Sequence, residues 1–148
     1  MAYSCSMAGI VAKVRSQASD RAHARTYLGK ANEFLAVARL AQAGRHHDAA
    51  LLLAIHSGIS SGDAVTVALA GLHSKDPDHL KAADLLESIA ARSEDIRARA
   101  TQLRSLLKMK NTVEYEERRT TSAEAADGLK RAERLAAWAA AEVARARL

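Results

Sequence analysis

Hydrophobic positions along most of this chain recur three and four residues apart, the period of a helix and not of a strand. The clearest stretch is 47–72, HDAALLLAIHSGISSGDAVTVALAGL, which the pattern predicts as a central helix. Leu52, Ile55, Ile59, Leu69 and Leu72 follow the helical period, while Leu51, Leu53, Val65 and Val67 put apolar groups on the other faces. A helix apolar on most sides must be enclosed by other helices. Gly58 and Gly62 share one face, where a second backbone can approach closely. Tight packing there would offset the cost of about 1 kcal/mol that each glycine imposes on a helix. His56, Ser60 and Asp63 fall on one line and form a polar stripe down this rod. The stripe reads either as a hydrogen-bonded network or partner contact, or as one wall of a functional cleft.

The same period organises the rest of the chain. Residues 1–19 are weakly patterned and read as a mobile arm, or as a short docked helix through Met7, Ile10 and Val14. A first helix opens at Asp20 or at Thr26 and stops at Gly44, with Tyr27, Ala31, Phe34, Leu35, Ala38 and Ala41 on its apolar face. Asp76-Pro77 predicts a helix over about 77–91 that points Leu80, Ala83, Leu86 and Ile89 inward. Ser93 or Asp95 opens another that runs to about Met109. The segment 110–121, KNTVEYEERRTT, breaks the pattern and is expected to be irregular. Thr121 with Glu124 is a capping box for a last helix carrying Leu129, Ala132, Leu135, Ala136, Ala139 and Val143 inward, with Trp138 turned toward a partner. The predicted fold is all-α, an up-and-down antiparallel bundle of four to five helices occupying residues 20–148 as one domain.

Composition narrows the chemistry. Aromatic residues are only 3% of the chain against 49% hydrophobic, so the core must be Ala, Leu, Val and Ile, which suits closely packed helices and disfavours a β-sandwich. The single cysteine, Cys5, excludes an internal disulfide framework and fits a reducing compartment. No apolar run is expected to approach the ~20 residues of a membrane span, and the N-terminus lacks the features of a secretory signal. A cytoplasmic protein without membrane contact is expected. The net charge of +5 arises before His47, where Lys13, Arg15, Arg21, Arg25, Lys30, Arg39 and Arg45 face only Asp20 and Glu33 (7 − 2 = +5). With no interleaved aromatics, these charges read as a solvated helix face before a nucleic-acid site.

No phosphate-cradling glycine loop, nucleophile elbow or metal-ligand spacing is present, so no metal and no cofactor are expected. The adjacent His46 and His47 read as a solvated loop pair. Chemistry concentrates in the irregular segment, where Lys110, Asn111, Glu114 and Tyr115 are followed by Arg118 and Arg119. A cation, an amide and a phenol in one turn can hold a phosphate, and the phenol can stack on a base. None is a good general base near neutral pH. The bland alternative is a polar loop whose Tyr115 ring docks on the bundle. His79 reads as a local hydrogen-bonding group or a partner contact.

Four stretches carry a family resemblance: AIHSGISSGDAV at 54–65, DPDHLKAADLLE at 76–87, LLKMKNTVEY at 106–115 and TTSAEAADGLKRAERLA at 120–136. In this order they resemble the HEPN (higher eukaryotes and prokaryotes nucleotide-binding) family, in particular an actinobacterial-type subgroup, over roughly residues 25–145. The resemblance implies a helical bundle that dimerises around a shared cleft. Many members are ribonucleases, some of them toxins paired with a nucleotidyltransferase antitoxin or active in phage defence. Their signature is an arginine, usually a polar residue such as Asn next, and a histidine about a turn further on. Here Lys110-Asn111 takes the first two places and Tyr115 the last. Asn111 fits, Lys110 keeps the charge without the planar fork, and Tyr115 removes the acid–base group.

The expected function is therefore a HEPN-like homodimer with a degenerate ribonuclease motif that binds a nucleotide, RNA or protein and does not act as an enzyme. The site would comprise Lys110, Asn111, Glu114, Tyr115, Arg118 and Arg119, with the His56, Ser60 and Asp63 stripe. Gly58, Gly62 and Trp138 suggest surfaces made for close approach, either within the chain or between copies. Two alternatives remain. One is an active metal-independent endoribonuclease using Lys110, Asn111 and Tyr115 with His56 or His79 as base. The other is a purely structural helical subunit of a larger assembly.

Overall fold

Asp20, Ser93 and Thr121 each accept a hydrogen bond from a backbone N–H two or three residues further on (Ala22 at 2.9 Å, Ile96 at 3.2 Å, Glu124 at 3.1 Å), and a helical segment starts at each. The structure, a computed structural model, describes residues 15–90 and 92–148. After a single 3-10 turn at Arg21–His23 come α1 (Ala24–Ala43), α2 (His47–Ala70), α3 (Leu80–Ile89), α4 (Glu94–Lys108), the short α5 (Lys110–Glu114) and α6 (Ser122–Ala146). Glu124 returns a bond to the backbone of Thr121 at 2.9 Å, which completes the capping box.

α2 is the axis of the bundle. Between Ala50 and Ala68 every residue is buried except Leu52, Leu53, His56 and Asp63. Gly58 lies under the Leu103, Leu106 and Leu135 side chains, Gly62 under Leu103, and Gly128 of α6 against Leu51. Toward the other end, Ala64, Val67 and Ala68 cluster with Val143 and Ala24. α2 and α6 thus run in the same sense. α1 opposes both, with Ser57 Oγ donating to the Ala31 carbonyl at 2.8 Å and Gln42 donating to the Ser122 carbonyl at 3.2 Å. α4 opposes α2, and the four long helices alternate as an up-and-down bundle.

Several expectations change. Gly58, Gly62 and Trp138 face the interior of one chain, not a second copy. Trp138 is 7% exposed, donates to Asp95 at 3.0 Å and lies under the Arg99 guanidinium. The third helix begins at Leu80 and not at Pro77. Asp76 accepts from the Asp78 N–H and Asp78 from the Leu80 N–H, both at 3.0 Å, so these side chains bend the backbone through the intended first turn. The segment from Lys110 to Glu114 is a helical turn, not irregular. Ser16–Ala18 (β1) pairs antiparallel with Leu72–Ser74 (β2), Gln17 opposite His73. Of the arm expected over 1–19, residues 1–14, including Met7, Ile10 and Val14, lie outside the described residues. By length and hydropathy α2 does meet the test of a membrane span, but 78% of its most apolar window is covered by the protein itself.

The basic N-terminal third is not one patch. Arg21 donates to the Ala68 carbonyl at 2.7 Å, Arg25 to the carbonyl of Leu148, and Arg39 pairs with Glu133 at 3.2 Å. Arg25 and Arg39 tie α1, and Arg21 the turn before it, to neighbouring segments.

Gly58→Val tests the close approach. A β-carbon at Gly58 would lie 2.5 Å from Leu106, and overpacking of this kind costs about 1–3 kcal/mol. Gly29 has nothing within 4 Å of that position, so Gly29→Ala should stabilise by up to about 1 kcal/mol through helix propensity alone. Urea unfolding of both variants reads the opposite signs.

Candidate functional site

The open side of α2 is its polar side. His56 sits halfway along it, half-buried, with the Phe34 ring of α1 at 5.9 Å. Tyr27, Lys30 and Phe34 share one face of α1 and border this seam, since they fall three and four residues apart. The chain leaving α2 returns across it. Gly71, with φ 64°, ends the helix in the left-handed region and turns the backbone back into β2. His73 then lies over Tyr27 with ring centres 5.6 Å apart, and His79 meets His56 edge to face at 6.2 Å and 82°. The Asp76 and Asp78 turns that delay α3 are what hold His79 at the level of His56.

The opposite wall comes from the end of α4. Met109 packs on the core near Gly128, and α5 follows at once. Lys110 and Glu114, one turn apart, pair at 3.2 Å. A cleft of about 430 Å³ opens here, with Pro77, Asp78, His79 and Leu80 on one wall and Lys110, Asn111, Glu114 and Tyr115 on the other. Tyr115 is 75% exposed at its rim. Its ring does not dock on the bundle, which removes that reading of the segment.

Burial lowers the pKa of both histidines below the ordinary imidazole value. His79 and Lys110 push His56 further down, and Lys110 does the same to His79, while Glu114 opposes both effects. Near neutral pH the two rings are therefore uncharged and able to accept protons. Lys110 is the cation of this group and Glu114 its counter-charge.

The predicted residues divide into three groups. Lys110, Asn111, Glu114 and Tyr115 line the cleft, and His56 joins them through His79. Ser60 is buried between the two ends of the stripe. Asp63 belongs to a separate cluster with Tyr27, Lys30 and His73, in which burial pushes the carboxyl up to about 7 against the opposing pull of Lys30. There the His73 Nδ1 is buried without a hydrogen-bond partner. Arg118 and Arg119 are not cleft residues. Arg118 forks onto both oxygens of Glu124 at 2.8 Å and also bonds Glu116, which fixes the start of α6. Hydrogen bonding from Thr120, whose N–H donates at 2.8 Å, holds the Asp48 carboxylate down to about 2, and Arg119, paired with it at 2.6 Å, adds to the effect.

Phe34, Tyr27, Lys30 and His73 were not among the expected site residues. Tyr27 and Phe34 belong to the apolar face predicted for the first helix and Lys30 to its basic, solvated residues, so the sequence shows their spacing but not their meeting in one seam. His73 is placed by the β1–β2 pairing, which has no periodic signal. Among the described residues no group of three or more histidine, cysteine or carboxylate side chains is arranged to hold a metal.

Asp63 gives a pH test. Its folded-state pKa lies above the ordinary 3.8, so its contribution to stability is fully present below about pH 4 and is lost as the pH rises through about 7. Asp63→Asn should gain on the order of 2 kcal/mol at about pH 8 and almost nothing at about pH 4. Urea unfolding at both values checks this, and an equal difference at each would contradict it. Comparison with family models, with curated proteins and with solved structures finds no match for this chain.

Proposed function

We propose that the protein is a HEPN-like helical module that binds a phosphate-bearing ligand, a nucleotide or RNA strand, in the cleft between His79 and the Lys110–Tyr115 turn. The observation that carries this reading is the exposed Tyr115 ring on the same wall as Lys110 and facing His79. An exposed phenol offers a base a stacking surface worth about 1–3 kcal/mol. Lys110, Asn111 and the imidazoles supply donors for phosphate oxygens. Glu114 holds Lys110 in place and limits how strongly the empty cleft attracts anions, so ligand affinity depends on fit as well as charge.

In this reading the protein is a cytoplasmic homodimer, and its setting is a toxin–antitoxin or phage-defence system with a nucleotidyltransferase-type antitoxin as partner. With Gly58, Gly62 and Trp138 enclosed, the apolar surface left for a second copy includes Leu40 (72% exposed) and Val37 (45%) of α1. A second reading, metal-independent RNA cleavage, draws support from the His56–His79 pair. An uncharged imidazole can take the proton of a ribose 2′-hydroxyl, a role that neither Lys110 nor Tyr115 can fill.

Binding of a short single-stranded oligoribonucleotide should weaken about tenfold or more in a Lys110→Ala/Tyr115→Ala variant and should fall with added salt. Unchanged binding would remove the cleft from the function. Incubated with total RNA in EDTA, the protein should leave the RNA intact. Cleavage that disappears in a His56→Gln/His79→Gln variant would establish the second reading instead. Light scattering should return twice the chain mass of 15.8 kDa, and the single-chain mass would exclude the shared-cleft dimer.

A further inference from the structure

The empty cleft is close to electrically balanced. Lys110 is paired with Glu114, the lining also holds one further lysine, Lys108, and one aspartate, Asp78, and burial pushes both imidazoles toward their uncharged form. A phosphate entering this space brings one or two negative charges to a lining whose two lysines are matched by two carboxylates. Something must offset them, and the groups free to change charge are the two rings.

His56 faces His79, Lys110 and Glu114, and from α1 only the uncharged Phe34 ring. His79 faces His56, Lys110, Glu114 and Asp78. In the empty cleft, protonating either ring places a second cation beside Lys110, and protonating both puts two imidazoliums 6.2 Å apart. Burial and repulsion both oppose it. A phosphate bound in the cleft reverses the balance: its oxygens can pair with and accept from His79, which lines the cleft, while His56 lies behind His79 and feels the added negative charge across that ring contact.

We propose that the cleft takes up a phosphate group and protons together, with His56 and His79 as the proton acceptors, so that binding tightens as the medium acidifies. This rests on the cleft being a phosphate-binding site. The coupling is reciprocal: protons raise the affinity for phosphate by the factor by which phosphate raises the affinity for protons. No covalent bond forms or breaks. The device would make loading of the cleft sensitive to a fall in pH.

Two sources of the phosphate predict different profiles. A terminal phosphomonoester loses its second charge near pH 6, so its affinity should rise on acidification and then level off. An internal phosphodiester keeps one charge throughout, so its affinity should go on rising. The probes are adenosine monophosphate and, separately, a short oligoribonucleotide without terminal phosphate. Each is titrated calorimetrically into the full chain at constant ionic strength from about pH 7.5 to about pH 5.5. The better probe should gain at least about tenfold. Repeating one pH in buffers of different ionisation enthalpy should show uptake of about one to two protons per ligand.

A His56→Gln/His79→Gln variant should lose both the rise and the proton uptake. Binding that is independent of pH, with no proton uptake by the unaltered protein, would overturn the coupling and leave the cleft as a phosphate site. A rise that persists in the variant would overturn the assignment to these histidines. Absence of binding by either probe at every pH would remove the phosphate-binding reading itself, and the coupling with it.

Discussion

The close approach of helices at Gly58 is the constraint on which the other features rest. Three leucines, Leu103, Leu106 and Leu135, converge on Gly58, one of the two positions of α2 that have no side chain. Gly128 repeats the arrangement from the other side, receiving Leu51. With so few aromatic rings in the chain, the core is filled by aliphatic side chains, and small residues let the helix axes come near enough for these to interlock. Because α4 is held against α2 at Gly58 and Gly62, its last turn ends at a defined height. Met109 closes the core there, and the turn that follows presents Lys110 beside His56 and His79.

The same packing explains why chemistry gathers on one side of α2. The helix is covered by α1, α4 and α6 over most of its surface, which leaves a seam where polar groups can remain. His56 and Asp63 occupy that seam at two heights, and the chain returning from α2 crosses both. At the upper end β2 brings His73 over Tyr27 near Asp63. At the lower end two aspartate-capped turns bring His79 over His56. One seam thus holds two titratable clusters, and the lower opens into a cleft. The upper one encloses a carboxyl that favours its protonated form, and this costs stability at alkaline pH.

Much of the fold was legible because helices write a period into sequence and begin with recognisable caps. Asp20, Ser93 and Thr121 were all visible as helix starts, and α2 was recognisable as an enclosed rod. What failed did so for physical reasons. Strands of three residues have no period to read, and the partner of Ser16–Ala18 lies on the far side of two helices in the sequence. Pro77 is suited to a helix start, but Asp76 and Asp78 capture the local N–H groups first. Gly58 and Gly62 correctly signalled close approach, though a glycine cannot show whether its neighbour belongs to the same chain. In the site, Lys110, Asn111, Glu114 and Tyr115 were legible as a group. Arg118 and Arg119 were misplaced because the carboxylates they bind, Glu124 and Asp48, are specified only by the start of α6 and its docking on α2.

The central claim is that α2 fixes one ligand cleft where His56, His79 and the Lys110–Tyr115 turn meet. Chemical-shift mapping of the labelled protein during titration with adenosine monophosphate tests it most directly. The account predicts saturable shifts at His56, His79, Lys110 and Tyr115, with the Asp63 and His73 cluster and the Arg118–Arg119 pair unmoved. Shifts confined to the arginines of α1, or spread evenly without saturation, would contradict it.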